Sequence, residues 1–479
     1  MKVCYKKLHK ININYAFLFT LTKFEFFFNK SADEVHYLLS YTYKKLNIRI
    51  FKDWNNCILG KVGCHMSEIQ VAKTQVSEIQ GLVDWLASFG MAKEGGVTRL
   101  LYSEEWVQAQ AALKQKMEDT GFSTYFDQVG NLFGRIEGTS EKKQVILTGS
   151  HVDTVVHGGK YDGAYGILAS FLAVKRLIEL YGKPKKTIEV VSLCEEEGSR
   201  FPLTYWGSKN VMGDYSQMSV KDMKDKIGIP FSEAMTEAGF PFNEYKTRKR
   251  EDIHHFVEIH IEQGSILEKG QSDIGLVTHI VGQKRFTITV NGESNHAGTT
   301  PMMERKDALV CAANVISELT AIAKTNYPQL RITTGQILVK PNVPNVIAGN
   351  VSFTLDIRHH ESDILEAFCH QAIQLLHQIA DRSAVSIDIH KWTDIRPVSL
   401  DTKLHDEMKN NLTKKGFKYT TIVSGAGHDA QVFGQYIPTT MLFVPSKDGI
   451  SHSPLEYTDS AKLEIGVSVL MDYLYKLAY

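Results

Sequence analysis

Short, mainly apolar runs, each followed within a few residues by Gly or charged groups, recur along the chain: VIL at 145–147, TIEVVSL at 187–193 and MLFV at 441–444. Runs of this length predict strands buried on both faces of a largely parallel sheet. Between them, residues 80–89, 106–117 and 166–180 carry apolar side chains at three- and four-residue intervals, which predicts helices packed on that sheet. Residues 125–136 pass through Val129-Gly130-Asn131 and predict a hairpin-like entry, while 213–250 predict a mostly helical excursion with polar loops. In HHFVEIHIEQG, alternation puts Val257, Ile259 and Ile261 on one face and Glu258, His260 and Glu262 on the other.

From residue 283 the pattern changes. RFTITVNGES predicts a strand, 305–323 a helix, RITTGQILVKP a strand, NVIAGNVSFTLDIRH another, 362–379 a helix and AVSIDIHKW a last strand. This β-α-β-β-α-β order is the split βαβ arrangement of a ferredoxin-like domain. The first pattern resumes after it, so the expected organisation is a leader (1–65), a first catalytic part (66–282), an inserted domain (283–396) and a second catalytic part (397–479). The fold class is α/β, with a mixed sheet and an α+β insertion.

Composition refines this in one place. At 479 residues, 43% apolar and 23% charged, the chain is ordinary for a two-domain globular protein. Its formal charge of zero argues against nucleic acid as a partner. That zero is uneven: residues 1–65 hold 11 Lys+Arg against 4 Asp+Glu, leaving 43 against 50 in the rest. The leader also lacks sustained periodicity, is broken by Lys23 and Glu25 where a signal peptide would be apolar, and shows no small-residue cleavage site. It reads as foreign to the fold, with translation expected to start at Met66. No stretch reaches the length of a membrane span. Cys4, Cys57 and Cys64 lie in the leader. Cys194, Cys311 and Cys369 lie in apolar surroundings without zinc-like spacing, as in a reducing, cytoplasmic compartment.

Chemistry gathers where the buried strands end. HVDTVVHGGKYDG offers His151 as a metal ligand, Asp153 to hold its other ring nitrogen, and Asp162, whose two oxygens suit it to bridge two ions. Glu195-Glu196-Glu197 would repel one another without a cation; Glu197 is read as a ligand and Glu196 as general base. His260 is a further candidate ligand, whereas His254 and His255 are expected to be surface histidines. SGAGHDA and GISHSP add His428, Asp429 and His452. In the inserted domain, Arg358 suits a bidentate grip on a carboxylate, with Asn345 in support; His296 suits a developing oxyanion, and Gln283 is a weaker substrate contact.

In order and spacing HVDTV, GGKYDG, EEEGSRF, HIEQG, NHAGTTPM, PNVIAG, DIRH, SGAGHDA and GISHSP resemble the carbamoylase branch of the M20 dinuclear metallopeptidase family, from about residue 80 to the end. The resemblance implies two divalent ions per subunit, manganese or zinc, held by His151, bridging Asp162, Glu197, His260 and His452, with Glu196 as catalytic acid/base. His428 becomes a substrate contact. The resemblance further implies a homodimer joined through the inserted domain, with His296 reaching the partner subunit's site, and a small ureido substrate bearing a carboxylate. Within the branch, EEEGSRFPLTYWGSKNVMG looks most like the members that hydrolyse allantoate to ureidoglycine, ammonia and carbon dioxide. N-carbamoyl-L-amino acids and β-ureidopropionate stay open as substrates, as does a metal-free binding role on the same fold.

Overall fold

The computed structural model describes residues 77–479 except 143, 216–219 and 247. The leader and its proposed end at Met66 lie outside the described residues. After two helices, α1 (Glu78–Ala87) and α2 (Glu104–Asp119), come the hairpin β1 (Ser123–Phe126) and β2 (Leu132–Ile136), then β3 (Val145–His151), α3 (Ala164–Tyr181), β4 (Thr187–Leu193), β5 (Ile253–Ile261) and β6 (Ile274–Ile280). The strands β7 (Gly282–Asn291), β8 (Arg331–Thr333), β9 (Ile337–Lys340), β10 (Asn350–His359) and β11 (Ser386–Ile395) form a second sheet with α4 (Ala308–Asn326) and α5 (Ser362–Arg382). The chain then returns through β12 (Val398–Ser399), α6 (Lys403–Lys414), β13 (Tyr419–Ser424), α7 (Asp429–Phe433), β14 (Thr439–Val444) and α8 (Ser460–Ala478).

The larger sheet is mixed. Its order is β1-β2-β4-β3-β5-β14-β6-β12, with β13 also paired to β6. The middle strands β4, β3, β5 and β14 run parallel, and every residue of β3, β4 and β14 is buried, which accounts for their mainly apolar runs. Helices α3 and α8 pack together over one face, burying among others Leu168, Leu172, Val467 and Leu470. A second core, with Phe256, Phe433 and Phe443, fills the other face.

The five-stranded sheet has order β11-β7-β10-β8, with β9 also on β10, and every pairing is antiparallel. This is the expected split βαβ order, and its core is separate, built from residues such as Ile288, Val315, Phe353, Phe368 and Leu376. Two crossovers join the sheets, Val281 between β6 and β7 and Arg396-Pro397 between β11 and β12. One side chain holds both: the buried amide of Gln431, on α7, donates to the carbonyls of Val281 (3.0 Å) and Arg396 (3.2 Å).

The structure departs from the sequence-based expectation in three places. Residues 213–250 are mainly loop among the described residues, with a helix only at Phe231–Glu237 and a single 3-10 turn. RITTGQILVKP is two short strands, because the chain leaves the β10 ladder between Thr333 and Ile337. His255 is buried, with Nε2 2.8 Å from Thr440 Oγ1, because β5 is central and both its faces are covered.

Candidate functional site

The C-terminal ends of β3, β4, β5 and β14 meet at one edge of the large sheet, where parallel α/β sheets place their ligands. β3 ends on His151, Glu196 and Glu197 follow β4, His260 is the penultimate residue of β5, and His452 lies on the loop after β14. Asp162 precedes Gly163, the cap of α3, which has a left-handed φ of 62° and whose added Cβ would lie 2.4 Å from the His151 ring. Only glycine lets the loop close so tightly over that imidazole.

The two oxygens of Asp162 face different partners. Oδ1 lies 3.5 Å from His151 Nε2 and 3.2 Å from His260 Nε2. Oδ2 lies 3.2 Å from His452 Nε2, which is itself 3.3 Å from Glu197 Oε1. Donors bound to one tetrahedral ion at about 2.1 Å sit roughly 3.4 Å apart, so each set has the spacing of a metal site. His151, Asp162 and His260 form one candidate set and Asp162, Glu197 and His452 another; Glu196 joins His151 and Glu197 in an overlapping third.

Outer contacts aim these donors. His260 Nδ1 lies 2.9 Å from the Ile261 carbonyl, which fixes the proton there and turns the Nε2 lone pair inward, where it also faces the Gly163 amide at 3.0 Å. His151 Nδ1 lies 3.1 Å from the Asp153 carbonyl and 3.3 Å from its carboxylate. The same carboxylate accepts the amides of Glu196 (3.0 Å) and Glu197 (3.1 Å), so Asp153 positions the base and a ligand as well as the histidine.

The electrostatics call for a cation. Burial, then the charge of Glu197, raises the Glu196 carboxyl well above its ordinary range. Burial and Asp153 do the same to Glu195, whose Oε2 is buried without a partner. Burial opposes charge on Asp162 too, but hydrogen bonds from His151, His260 and His452 outweigh it and hold that carboxyl well below the usual range. Contacts with Asp162 and Glu197 push His452 up to about 11. An imidazole drawn this strongly towards protonation marks a place that positive charge would stabilise, and the all-nitrogen-and-oxygen donor set fits divalent manganese, cobalt, nickel or zinc.

The sequence model of peptidase family M20/M25/M40 matches residues 147–476. The chain belongs to that family. It is 49% identical to the allantoate amidohydrolase of Bacillus subtilis (strain 168) over 403 residues, covering 84% of this chain and 98% of that relative. Identity to an N-carbamoyl-L-amino-acid amidohydrolase of Paenarthrobacter aurescens is 34%, over 83% of this chain and 97% of the relative. Among solved structures, an amidase of the hydantoinase/carbamoylase family from Burkholderia multivorans superposes with a TM-score of 0.77 at 31% identity, covering 84% of this chain and 97% of that one.

In this M20-family chain the remaining sequence candidates divide into two groups. His428 is buried beside the donors, its ring centroid 4.7 Å from that of His260; burial and that neighbour lower its pKa well below the ordinary value, leaving a neutral ring. Arg358 joins the wall through the SGAGH loop, Nη1 donating to the Gly425 carbonyl at 3.0 Å. Asp356 grips its Nε and Nη2 at 2.9 and 3.0 Å, and Gln283 donates to Asp356 at 2.8 Å, so Gln283 buttresses the arginine. His296 and Asn345 lie elsewhere. Both are exposed, their loops joined by the Ala297 amide on the Asn345 carbonyl (3.0 Å), beside the start of β10. Arg358 is eight residues along that strand from Asn350, or about 26 Å at the rise of an extended chain. Within the chain, Asn345 and Arg358 therefore stand towards opposite ends of β10.

Three contributors escape a reading by motif. Gln263 donates to Asp162 Oδ2 at 2.8 Å, and its own Oε1 is buried without a partner. Its signal lay in HIEQG, two residues past the end of β5, and in the fold it takes a left-handed φ of 56°. Ser451 and Glu456 flank His452 and make their contacts only through the folded loops.

Proposed function

We propose that this chain is an allantoate amidohydrolase, hydrolysing allantoate to ureidoglycine, ammonia and carbon dioxide with two divalent ions bound at His151, Asp162 and His260 and at Asp162, Glu197 and His452. The observation that carries the substrate is the 49% identity along nearly the whole of an allantoate relative, against 34% for a carbamoyl-amino-acid one. When bound, the ions polarise the ureido carbonyl and acidify the attacking water.

Every other part falls to side chains. The outward N–H groups of Arg358 take the substrate carboxylate, the opposite edge of the guanidinium being pinned by Asp356. Glu196 removes the proton of the attacking water and returns it to the departing ammonia, a task suited to a carboxyl that burial and the Glu197 charge raise well above its ordinary range. The carbamate left on nitrogen loses carbon dioxide. His296 serves the oxyanion: its Nδ1 accepts the amides of Gly298 (3.0 Å) and Thr299 (3.2 Å), so the neutral ring carries its proton on Nε2 as a donor.

The length of β10 between their loop and Arg358 supports a reading in which His296 and Asn345 serve the site of a second copy, in a homodimer. Exposed apolar side chains of the inserted domain fit this reading. Leu309 and Val310 on α4, Ile337 and Leu338 on the edge strand β9, and Met302 and Met303 are all exposed. Among the described residues α4 is the one helix long and apolar enough to cross a membrane; its buried side packs on the five-stranded sheet.

Ammonia release tests the substrate. Manganese-loaded protein given allantoate and a panel of N-carbamoyl-L-amino acids is expected to prefer allantoate by at least about tenfold in kcat/KM, about 1.4 kcal/mol of transition-state discrimination. Preference for a carbamoyl amino acid would keep the site and overturn the substrate.

A further inference from the structure

Glu456 belongs to no motif used above, yet its carboxylate is buried at the centre of the site's outer shell. Oε1 accepts the backbone amides of Tyr161 (2.9 Å) and of Asp162 itself (3.1 Å). Oε2 accepts the hydroxyl of Ser451 at 2.8 Å. The fit extends to the turn below: a Cβ added to Gly159 would lie 2.0 Å from Oε1, so the second glycine of the GGKYDG turn leaves the room this carboxylate fills. Glu456 therefore ties the turn carrying Asp162 to the loop carrying His452, two segments nearly 300 residues apart in sequence.

Ser451 makes this more than a tether. Its hydroxyl has one proton and two carboxylate neighbours, Glu456 Oε2 at 2.8 Å and Asp162 Oδ2 at 3.1 Å. Gln263 Nε2 donates to the same hydroxyl oxygen at 3.2 Å and to Asp162 Oδ2 at 2.8 Å. The pattern that satisfies every group runs from Gln263 to Ser451 to Glu456, with the serine proton on Glu456. Asp162 Oδ2 then keeps a lone pair directed at His452 and Glu197. We propose that Glu456 is a positioning residue of the metal centre, clamping the Asp162 turn with one oxygen and drawing the Ser451 proton away from Asp162 with the other. The proposal rests on the two-ion reading above.

Two substitutions separate the roles. In Glu456→Gln the amide oxygen still accepts both backbone amides, but its NH2 now donates to Ser451, which turns the serine proton onto Asp162 Oδ2. Metal affinity, measured as manganese retained in equilibrium dialysis with thermal unfolding of the metal-free protein alongside, is expected to fall about tenfold, the low end for loss of an outer-shell partner. Adding Ser451→Ala removes the misdirected proton and is expected to restore affinity to within about threefold of wild type. Glu456→Ala loses the clamp as well, with an expected fall of up to about 100-fold that Ser451→Ala restores only in part, because the clamp stays lost. A residue that merely supported the fold would not respond to Ser451. Wild-type affinity in Glu456→Gln, or a loss that Ser451→Ala leaves untouched, overturns the proposal. Wild-type protein that takes up no manganese overturns the two-ion reading instead.

Discussion

Glu196→Gln is expected to cut kcat on allantoate by between about 100- and 10,000-fold while leaving metal content and thermal stability close to wild type. The substitution keeps the size and the backbone contacts of the residue, including the Glu196 amide on Asp153. It removes the one group placed to carry a proton from water to the leaving nitrogen. The neighbouring ligands keep their own supports, Glu197 through its amide on Asp153 and His151 through the Asp153 carbonyl and carboxylate. The effect therefore belongs in kcat, with KM nearly unchanged, since Arg358 still holds the carboxylate. Metal analysis by mass spectrometry and single-turnover ammonia release check the two halves of this statement. An unchanged kcat would remove Glu196 from the chemistry.

The second large effect concerns His296. His296→Ala is expected to lower kcat/KM by about 100- to 1,000-fold, as loss of an oxyanion donor does elsewhere. More telling is a mixture of this variant with Glu196→Gln. In a dimer whose sites each take Glu196 from one subunit and His296 from the other, a mixed dimer has one site with both lesions and one with neither. Random pairing then returns about a quarter of wild-type activity from two nearly inactive proteins. If His296 served its own subunit, every site in the mixture would carry a lesion and the activity would stay near zero. The roughly 26 Å of β10 between the Asn345 loop and Arg358 is the physical reason to expect the first result.

Much of this site was legible before folding. Parallel strands buried on both faces announce themselves as short apolar runs, and chemistry placed at their ends is read by looking just past each run, which locates His151, Asp162, Glu197, His260 and His452. The rest failed for identifiable reasons. His255 looks like a surface residue because the sequence does not show that β5 is central in its sheet. The described residues of 213–250 form a helix only at Phe231–Glu237 and are otherwise mainly loop, held in part by aromatic contacts such as Trp206 with Phe231 and Tyr245, which pair the segment with a side chain outside it. Glu456, Ser451 and Gln263 act on atoms of residues far away in the chain, and no spacing rule reaches across 290 positions. That Asn345 and Arg358 lie towards opposite ends of one strand becomes visible only with β10 laid out in the sheet.

The amide of Gln431 has a further consequence, for how such proteins exchange parts. Both crossovers between the sheets end at one side chain on the helix that follows His428. An inserted domain transplanted from a relative by cutting at these two points does not arrive as an interchangeable module. It must present both junction carbonyls to the same glutamine, and a graft lengthened by one residue at either seam forfeits one of them. In this chain the register of the two seams is thus part of what holds the inserted domain, and chimaeras cut inside either sheet's loops are expected to keep more thermal stability than chimaeras cut at the joint.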